Sequence, residues 1–251
     1  PVRCARAALR EARAWGADEL IVKGDLVDHS RPEWWAQAAS VLDELDVPIS
    51  VVPGNHEWSG RGDGDPAAGL ARHGLQLVTD VAHLDRPGVR VVLVDSTIPG
   101  QDPGRVSDVL DRTLDIASST DLPLLVAMHH QPLRWRVPTY LPAGIPGPEA
   151  EHFLRALGRA NPRALVTSGH THRHRRRHVG PVTITEVGST KDFPGTWAGY
   201  EVYEGGVVQT VHRIADPSCI RWTDHTRRAA FGVWQLWSPG RLADRCFTRT
   251  W

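Results

Sequence analysis

Four times along this chain a short apolar run stops at a cluster of polar residues, and that recurrence constrains the fold more than any other feature. Leu20 to Val22 leads into Lys23-Gly24-Asp25-Leu26-Val27-Asp28. Ile49 to Val52 stops at Pro53-Gly54-Asn55-His56-Glu57. Leu124 to Met128 ends at His129-His130-Gln131-Pro132, and Ala164 to Thr167 at Gly169-His170-Thr171-His172. Apolar runs of this length read as buried strands. If such strands share a sheet, their ends converge on one edge, where layered α/β proteins place their sites.

The segments between the runs support that layout. Leu9, Ala12 and Trp15 in an Arg/Glu-rich stretch predict a helix over residues 2–15. A second helix is expected from Pro32 to Leu45, with Ser30 as its cap. Further helices are expected over Val106 to Ser118 and Glu149 to Arg159. Gln76 to Val78 and Val89 to Asp95 read as additional strands, and the Pro/Gly-rich stretch 132–148 as a loop over the site. Three β-type runs follow the last motif: Val182 to Val187, Gly199 to Tyr203 and Val207 to Val211. Gly205-Gly206 marks a hairpin between the last two. Residues 1–212 form one expected domain. Residues 213–251, which carry Trp222, Trp234, Trp237 and Trp251, form an extension that packs on the domain or a partner.

Composition narrows the function classes. Acidic and basic residues balance at 29 each, so no global field points to nucleic acid or an anionic membrane. Cys4, Cys219 and Cys246 are scattered and odd in number, which fits neither a disulfide framework nor a zinc ribbon. They fit a reducing, cytoplasmic compartment. No apolar run reaches membrane-spanning length.

The four motifs offer carboxylate, amide oxygen and imidazole, with no thiolate. That mixed O/N set suits Mn, Fe, Zn or Co rather than calcium or an iron–sulfur cluster. Singly, each motif has an ordinary explanation: Asp25 as a helix cap or loop acid, Asn55 as a turn residue, His129 and His130 as core histidines. Their joint occurrence in order, each at a strand end, is what points to metal. The Arg173 to His178 run, rich in Arg and His, reads as a solvated hairpin, because alternation splits it between two faces.

The ordered set Gly-Asp-x-x-Asp, Gly-Asn-His-Glu, His-His-x-Pro and Gly-His-x-His resembles the calcineurin-like metallophosphoesterases. GDLVDHSRP from Gly24, VPGNHE from Val52, Val94-Asp95-Ser96 and Met128-His129-His130 are most similar to the branch of class III cyclic-nucleotide and glycerophosphodiester phosphodiesterases. The resemblance covers residues 1–212. It implies a four-layer α/β/β/α sandwich with a dinuclear centre of two divalent transition-metal ions. Asp25 would bridge the ions, Asn55, His129 and His170 would complete the second ion's shell, and His172 would bind the first. His56 would be catalytic, facing the scissile phosphate. Asp28 and His130 would lie near the site, Asp28 holding a neighbouring ligand.

The family's Asp-x-His motif closes its first strand, and nothing before Asp25 supplies it here. The chain is therefore expected to lack that first strand and to hold one ion tightly and a second poorly. The exposed neighbour of that strand would invite association, so a homo-oligomer is expected as well. The implied chemistry is hydrolysis of a small phosphodiester by a metal-bridging hydroxide, with a phosphomonoesterase, a nuclease or a catalytically impaired scaffold as alternatives.

Overall fold

The computed structural model describes residues 1–58, 64–132 and 143–251. Helix α1 spans Val2–Trp15 and ends at Gly16, whose φ of 90° closes the helix in the left-handed conformation. Strand β1 is Leu20–Lys23, α2 is Pro32–Leu42 and β2 is Ile49–Val52. A short helix α3 covers Pro66–Ala71, capped by Asp65. Then come β3 (Val81–Arg86), β4 (Val89–Val94), α4 (Leu110–Ser118), β5 (Leu124–Met128), α5 (Gly147–Ala160) and β6 (Ala164–Ser168). Strands β7 (Arg175–Val179), β8 (Val182–Glu186), β9 (Thr196–Tyr203) and β10 (Gly206–Arg213) follow, then α6 (Pro217–Thr226) and, after three short helical turns, β11 (Phe247–Thr250).

A six-stranded mixed sheet runs in the order β3-β4-β5-β6-β8-β7. Its centre, β4-β5-β6-β8, is parallel, and β3 and β7 close the edges antiparallel. β4, β5, β6 and β8 are buried residue by residue, as parallel strands covered on both faces must be. Helices α4 and α5 cover one face through Leu110, Leu114, Phe153, Leu154 and Leu157. On the other face lies a second layer made of two pieces, the parallel pair β1-β2 and the antiparallel set β11-β10-β9. Ile21, Tyr200 and Val202 of this layer pack against Val89, Leu125 and Leu165 of the large sheet. Helices α1, α2 and α3 cover β1 and β2 from outside, and Ile214 and Cys219 extend that cover beneath α1. The result is a four-layer α/β/β/α sandwich whose inner layer is interrupted between β1 and β9.

Several local expectations change. Helix α2 stops at Leu42, and its cap position is Arg31, without a side-chain cap. Ser30 instead accepts a hydrogen bond from Trp35 Nε1 at 3.0 Å, tying the loop to a buried indole. Leu77 makes only an isolated bridge to Val51, because a single register point continues the β1-β2 pair. The Arg-rich run does enter a hairpin, β7 pairing with β8 across Gly180-Pro181, but not all of its arginines are solvated. Arg173 and Arg177 turn inward to the buried carboxylate of Glu186, at 2.6 and 3.0 Å. Two guanidinium groups offset the burial of one carboxylate, an arrangement that a hydropathy pattern reads as surface. Most of the expected loop over 132–148 lies outside the described residues, and α5 begins within it, at Gly147. No helix among the described residues is long and apolar enough to cross a membrane.

Candidate metal centre

The ends of β1, β2, β5 and β6 meet on one edge, and each motif is turned there by a specific backbone device. Gly24 has φ 81°, and a Cβ on it would sit within 2.5 Å of both Gly54 N and His129 Nδ1. Glycine is therefore what lets the first two motifs touch the third. Asp25 follows at φ 55° and His172 sits at φ 51°, both left-handed non-glycine residues. Such residues cost free energy locally and persist where the surroundings over-determine them.

Glu57 is the brace. Its buried carboxylate accepts from Asp25 N at 2.9 Å, Val27 N at 3.0 Å and Gly54 N at 2.6 Å, joining the first motif to the second. Burial and the neighbouring Asp25 push Glu57 up to about 7, against the pull of those three N–H groups. Thr171 does similar work in the fourth motif, its hydroxyl donating to Glu186 Oε2 at 2.9 Å. Sequence reasoning assigned no role to either residue, although both stand inside the quoted motifs.

His129 Nδ1 lies 2.7 Å from the Lys23 carbonyl. A carbonyl only accepts, so Nδ1 carries the proton and Nε2 presents a bare lone pair. That lone pair faces Asn55 Oδ1 at 3.1 Å, His170 Nδ1 at 3.0 Å and Asp25 Oδ1 at 3.4 Å. Asn55 is oriented by its amide, whose Nδ2 donates to Asp102 Oδ1 at 3.4 Å and leaves Oδ1 toward the cluster. His170 Nε2 is buried with no hydrogen-bond partner among the described residues. Lone pairs converging in a buried place repel one another unless a cation sits among them. Asp25, Asn55, His129 and His170 thus have the donor chemistry of a divalent-ion site.

His129, His130 and His170 lie close enough together to suggest a three-histidine site instead. His130 is already engaged: Nδ1 is 3.0 Å from Ser96 Oγ and Nε2 is 3.1 Å from the Asp102 carbonyl. It is fully buried beside the cluster and holds Ser96 and the 102 loop in place. Burial lowers the basicity of all three rings, holding His170 at about 3, so they stay neutral and able to donate lone pairs. Burial works to raise Asp25, yet His129, His56 and the His56 N–H hold it below its ordinary value.

The remaining candidates ring this cluster. His56 N donates to Asp25 Oδ1 at 3.2 Å, and its ring Nδ1 meets Asp28 Oδ1 at 2.7 Å. Its side chain is part exposed. His172 Nδ1 meets Asp192 Oδ2 at 2.6 Å, which leaves Nε2 as the available donor. Asp192 stands in the Lys191-Asp192-Phe193-Pro194 loop. The only signal for it in the sequence was an acid after a strand end.

Four strand ends supplying neutral imidazoles, an amide oxygen and a carboxylate, on the inner edge of a four-layer sandwich, define a metallophosphoesterase-type protein. The calcineurin-like phosphoesterase family model matches residues 4–174, and the chain belongs to that family. Membership implies divalent metal ions. Among curated proteins, the chain is 28% identical over 183 residues to the glycerophosphodiester phosphodiesterase GpdQ of Enterobacter lignolyticus, covering 69% of this chain and 62% of that one. It is 29% identical over 177 residues to the 3',5'-cyclic adenosine monophosphate phosphodiesterase CpdA of Pseudomonas aeruginosa, covering 69% and 61%. The chain thus spans about three fifths of the length of these curated relatives. Among solved structures, TT1561 of Thermus thermophilus shares the fold with a TM-score of 0.59 at 14% identity, over 85% of this chain and 93% of that one.

Proposed function

We propose that this protein is a metal-dependent phosphodiesterase for small diesters such as cyclic nucleotides or glycerophosphodiesters. The observation that carries the reading is the convergence of Asn55 Oδ1, Asp25 Oδ1 and His170 Nδ1 on the bare Nε2 of His129. In this reading Asp25, Asn55, His129, His170 and His172, the last steadied by Asp192, would hold divalent ions of the Mn, Fe, Zn or Co type. Such ions would supply a water of lowered pKa and neutralise phosphoryl oxygens. His56 faces the phosphate and gives a proton to the leaving alkoxide, with Asp28 fixing its ring through Nδ1. The named activities of GpdQ and CpdA favour diesters over monoesters for this chain too.

The 213–251 segment serves as a wall of the site. Trp234 stands edge-on to His172 at 6.3 Å, and Trp237 stacks on Arg173 at 4.2 Å. β11 adds to β10. The free thiols Cys4, Cys219 and Cys246 support a cytoplasmic setting.

The deciding experiment removes metal with a chelator, restores Mn(II), and follows hydrolysis of bis(4-nitrophenyl) phosphate, a 3',5'-cyclic nucleotide and a glycerophosphodiester. Turnover that returns with Mn(II) and prefers diesters over 4-nitrophenyl phosphate supports the reading. Turnover indifferent to the chelator sinks it. A second reading, a metal-binding scaffold of low activity, is favoured by the assignment itself, which leaves the first ion with Asp25 and His172. It predicts one tightly held ion per chain and negligible turnover of any ester.

A further inference from the structure

Charge balances over the whole chain but not along it. The 213–251 segment carries seven arginines and three aspartates, with no lysine or glutamate, and residues 225–243 hold no acidic residue at all. Arg221 and His225 share one face of α6 by their spacing, and Arg228 follows one turn further on. Asp224, the acid of α6, is taken by Arg213 at 2.8 Å. Arg221, Arg227 and Arg228 are exposed and form no ion pair among the described residues. Directly after these arginines the chain turns sharply. Ala230, Phe231 and Gly232 stand in succession at φ 49°, 56° and 84°. Gly232 N donates to Arg228 O and Val233 N to Ala230 O, both at 3.1 Å, so the turn is closed by its own backbone. Its tip, Phe231, is fully exposed. In the short helix Trp234–Trp237 the two tryptophans, three apart, share a face that meets His172 and Arg173. Val233 and Leu236 stand off that face, 54% and 82% exposed. The tryptophans already fill the inward side, so Phe231, Val233 and Leu236 add nothing to the core.

We propose that Phe231, Val233 and Leu236, framed by Arg221, Arg227 and Arg228, form a docking surface for an anionic lipid bilayer. Three large apolar side chains side by side in water mark a contact surface, since scattered ones alone would need no explanation. Charge identifies the partner. A surface with free guanidinium groups and no acid among them is complementary to a sheet of phosphate headgroups, which guanidinium recognises well. The two signals need each other. Three apolar side chains bury too little area to hold a protein in a bilayer, and three arginines alone give only an attraction that salt screens. Joined on one turn, they let the apolar tip enter the headgroup boundary while the arginines stay at the phosphates. This is attachment to one leaflet and not a span, in keeping with the lack of a membrane-crossing helix among the described residues. The surface and the metal centre share the helix Trp234–Trp237, so docking holds His172 one short helix away from the lipid. The docking itself does not depend on the phosphodiesterase reading.

The test is sedimentation of the full chain with vesicles of phosphatidylcholine and phosphatidylglycerol in equal parts, set against vesicles of phosphatidylcholine alone. The expected result is saturable binding to the mixed vesicles, roughly tenfold weaker on phosphatidylcholine alone and again weaker in high salt. Phe231→Ser should weaken binding to the mixed vesicles roughly tenfold and leave the salt dependence in place. The double variant Arg227→Glu, Arg228→Glu should instead remove the preference for the anionic lipid. Both changes lie on exposed positions, so the melting curve should stay where it is. If a variant unfolds, quenching of the unaltered chain's tryptophan fluorescence by lipids brominated on the acyl chain still decides, since insertion requires it. No binding, equal binding to both vesicles, or no quenching by brominated lipid overturns the proposal. So does a Phe231→Ser variant that binds as well as its parent, because the arginines would then act without insertion. A Phe231→Ser variant that turns a dimer into a monomer and leaves vesicle binding unchanged overturns it too, because the patch would then face a second copy.

Discussion

His172 Nδ1 and Asp192 Oδ2 lie 2.6 Å apart, joining the fourth motif to a loop twenty residues further along the chain. A carboxylate on one ring nitrogen holds the imidazole in the tautomer that offers the other nitrogen outward. The Asp192→Asn variant should weaken binding of the more labile ion by about 10–100-fold, the usual scale for a carboxylate behind a ligating histidine. Titration of the metal-depleted protein with Mn(II), followed calorimetrically, measures it. An unchanged isotherm would remove Asp192 from the metal site.

His56 separates binding from turnover. Its ring contacts Asp28, while its backbone N–H holds Asp25 Oδ1. His56→Ala should keep its metal content and lose about 10²–10⁴-fold in kcat, as expected for a positioned proton donor. Loss of metal in plasma emission measurements would instead make His56 a ligand.

Glu57 should matter for stability before it matters for chemistry. Replacing it by alanine strands three N–H groups, on Asp25, Val27 and Gly54, each costing about 1–3 kcal/mol when buried and unpaired. Glu57→Ala should thus lose roughly 3 kcal/mol or more in urea denaturation, and Glu57→Gln, which keeps an acceptor, clearly less. Equal losses for both would mean that the charge, not the acceptor, holds the loops together.

His174 gives the fold a pH dependence outside the cluster. Burial, with Arg245 and Lys23 nearby, lowers it to about 3. It stays neutral in the folded state, with Nε2 3.1 Å from Thr196 Oγ1 and Nδ1 accepting from Gly188 N. The unfolded chain takes up a proton near pH 6.5, so between about 6.5 and 3 it binds more protons than the folded one. Stability contributed here is whole above that window and falls with pH through it. In metal-free protein, the urea midpoint should drop from about pH 7.5 to about 5.5, and drop less in His174→Gln. Parallel lines for the two proteins would show that other groups carry the effect.

Strand ends were the readable part of this chain. Gly24-Asp25, Gly54-Asn55, His129 and Gly169-His170 stand where an apolar run stops, and period and turn chemistry mark such places without tertiary information. What escaped was decided by contacts between distant segments. β3 alternates only weakly and exists because it closes the edge of β4. β7 is a run of arginines made into a strand by Glu186, whose carboxylate is paired across the sheet. Asp192 carries only the weak pattern of an acid after a strand end, and the return of its loop to His172 gives it a role. The Glu57 brace is an in-between case. Its motif was visible, but its three bonds run back to the loops of the first two motifs, which a linear reading does not join.

The left-handed backbone at Asp25 and His172 has an evolutionary side. At φ 55° and 51° each residue sits in the left-handed region, where glycine is most at ease and Asp or His is tolerated at some cost. A library of this protein sorted by heat resistance alone would therefore drift toward glycine at both positions, since each exchange relaxes the chain. Those are the two places where the loss would be least visible in a melting curve and most visible in a metal count. Where both residues hold metal as proposed, selection for robustness and selection for chemistry would pull in opposite directions at these two turns.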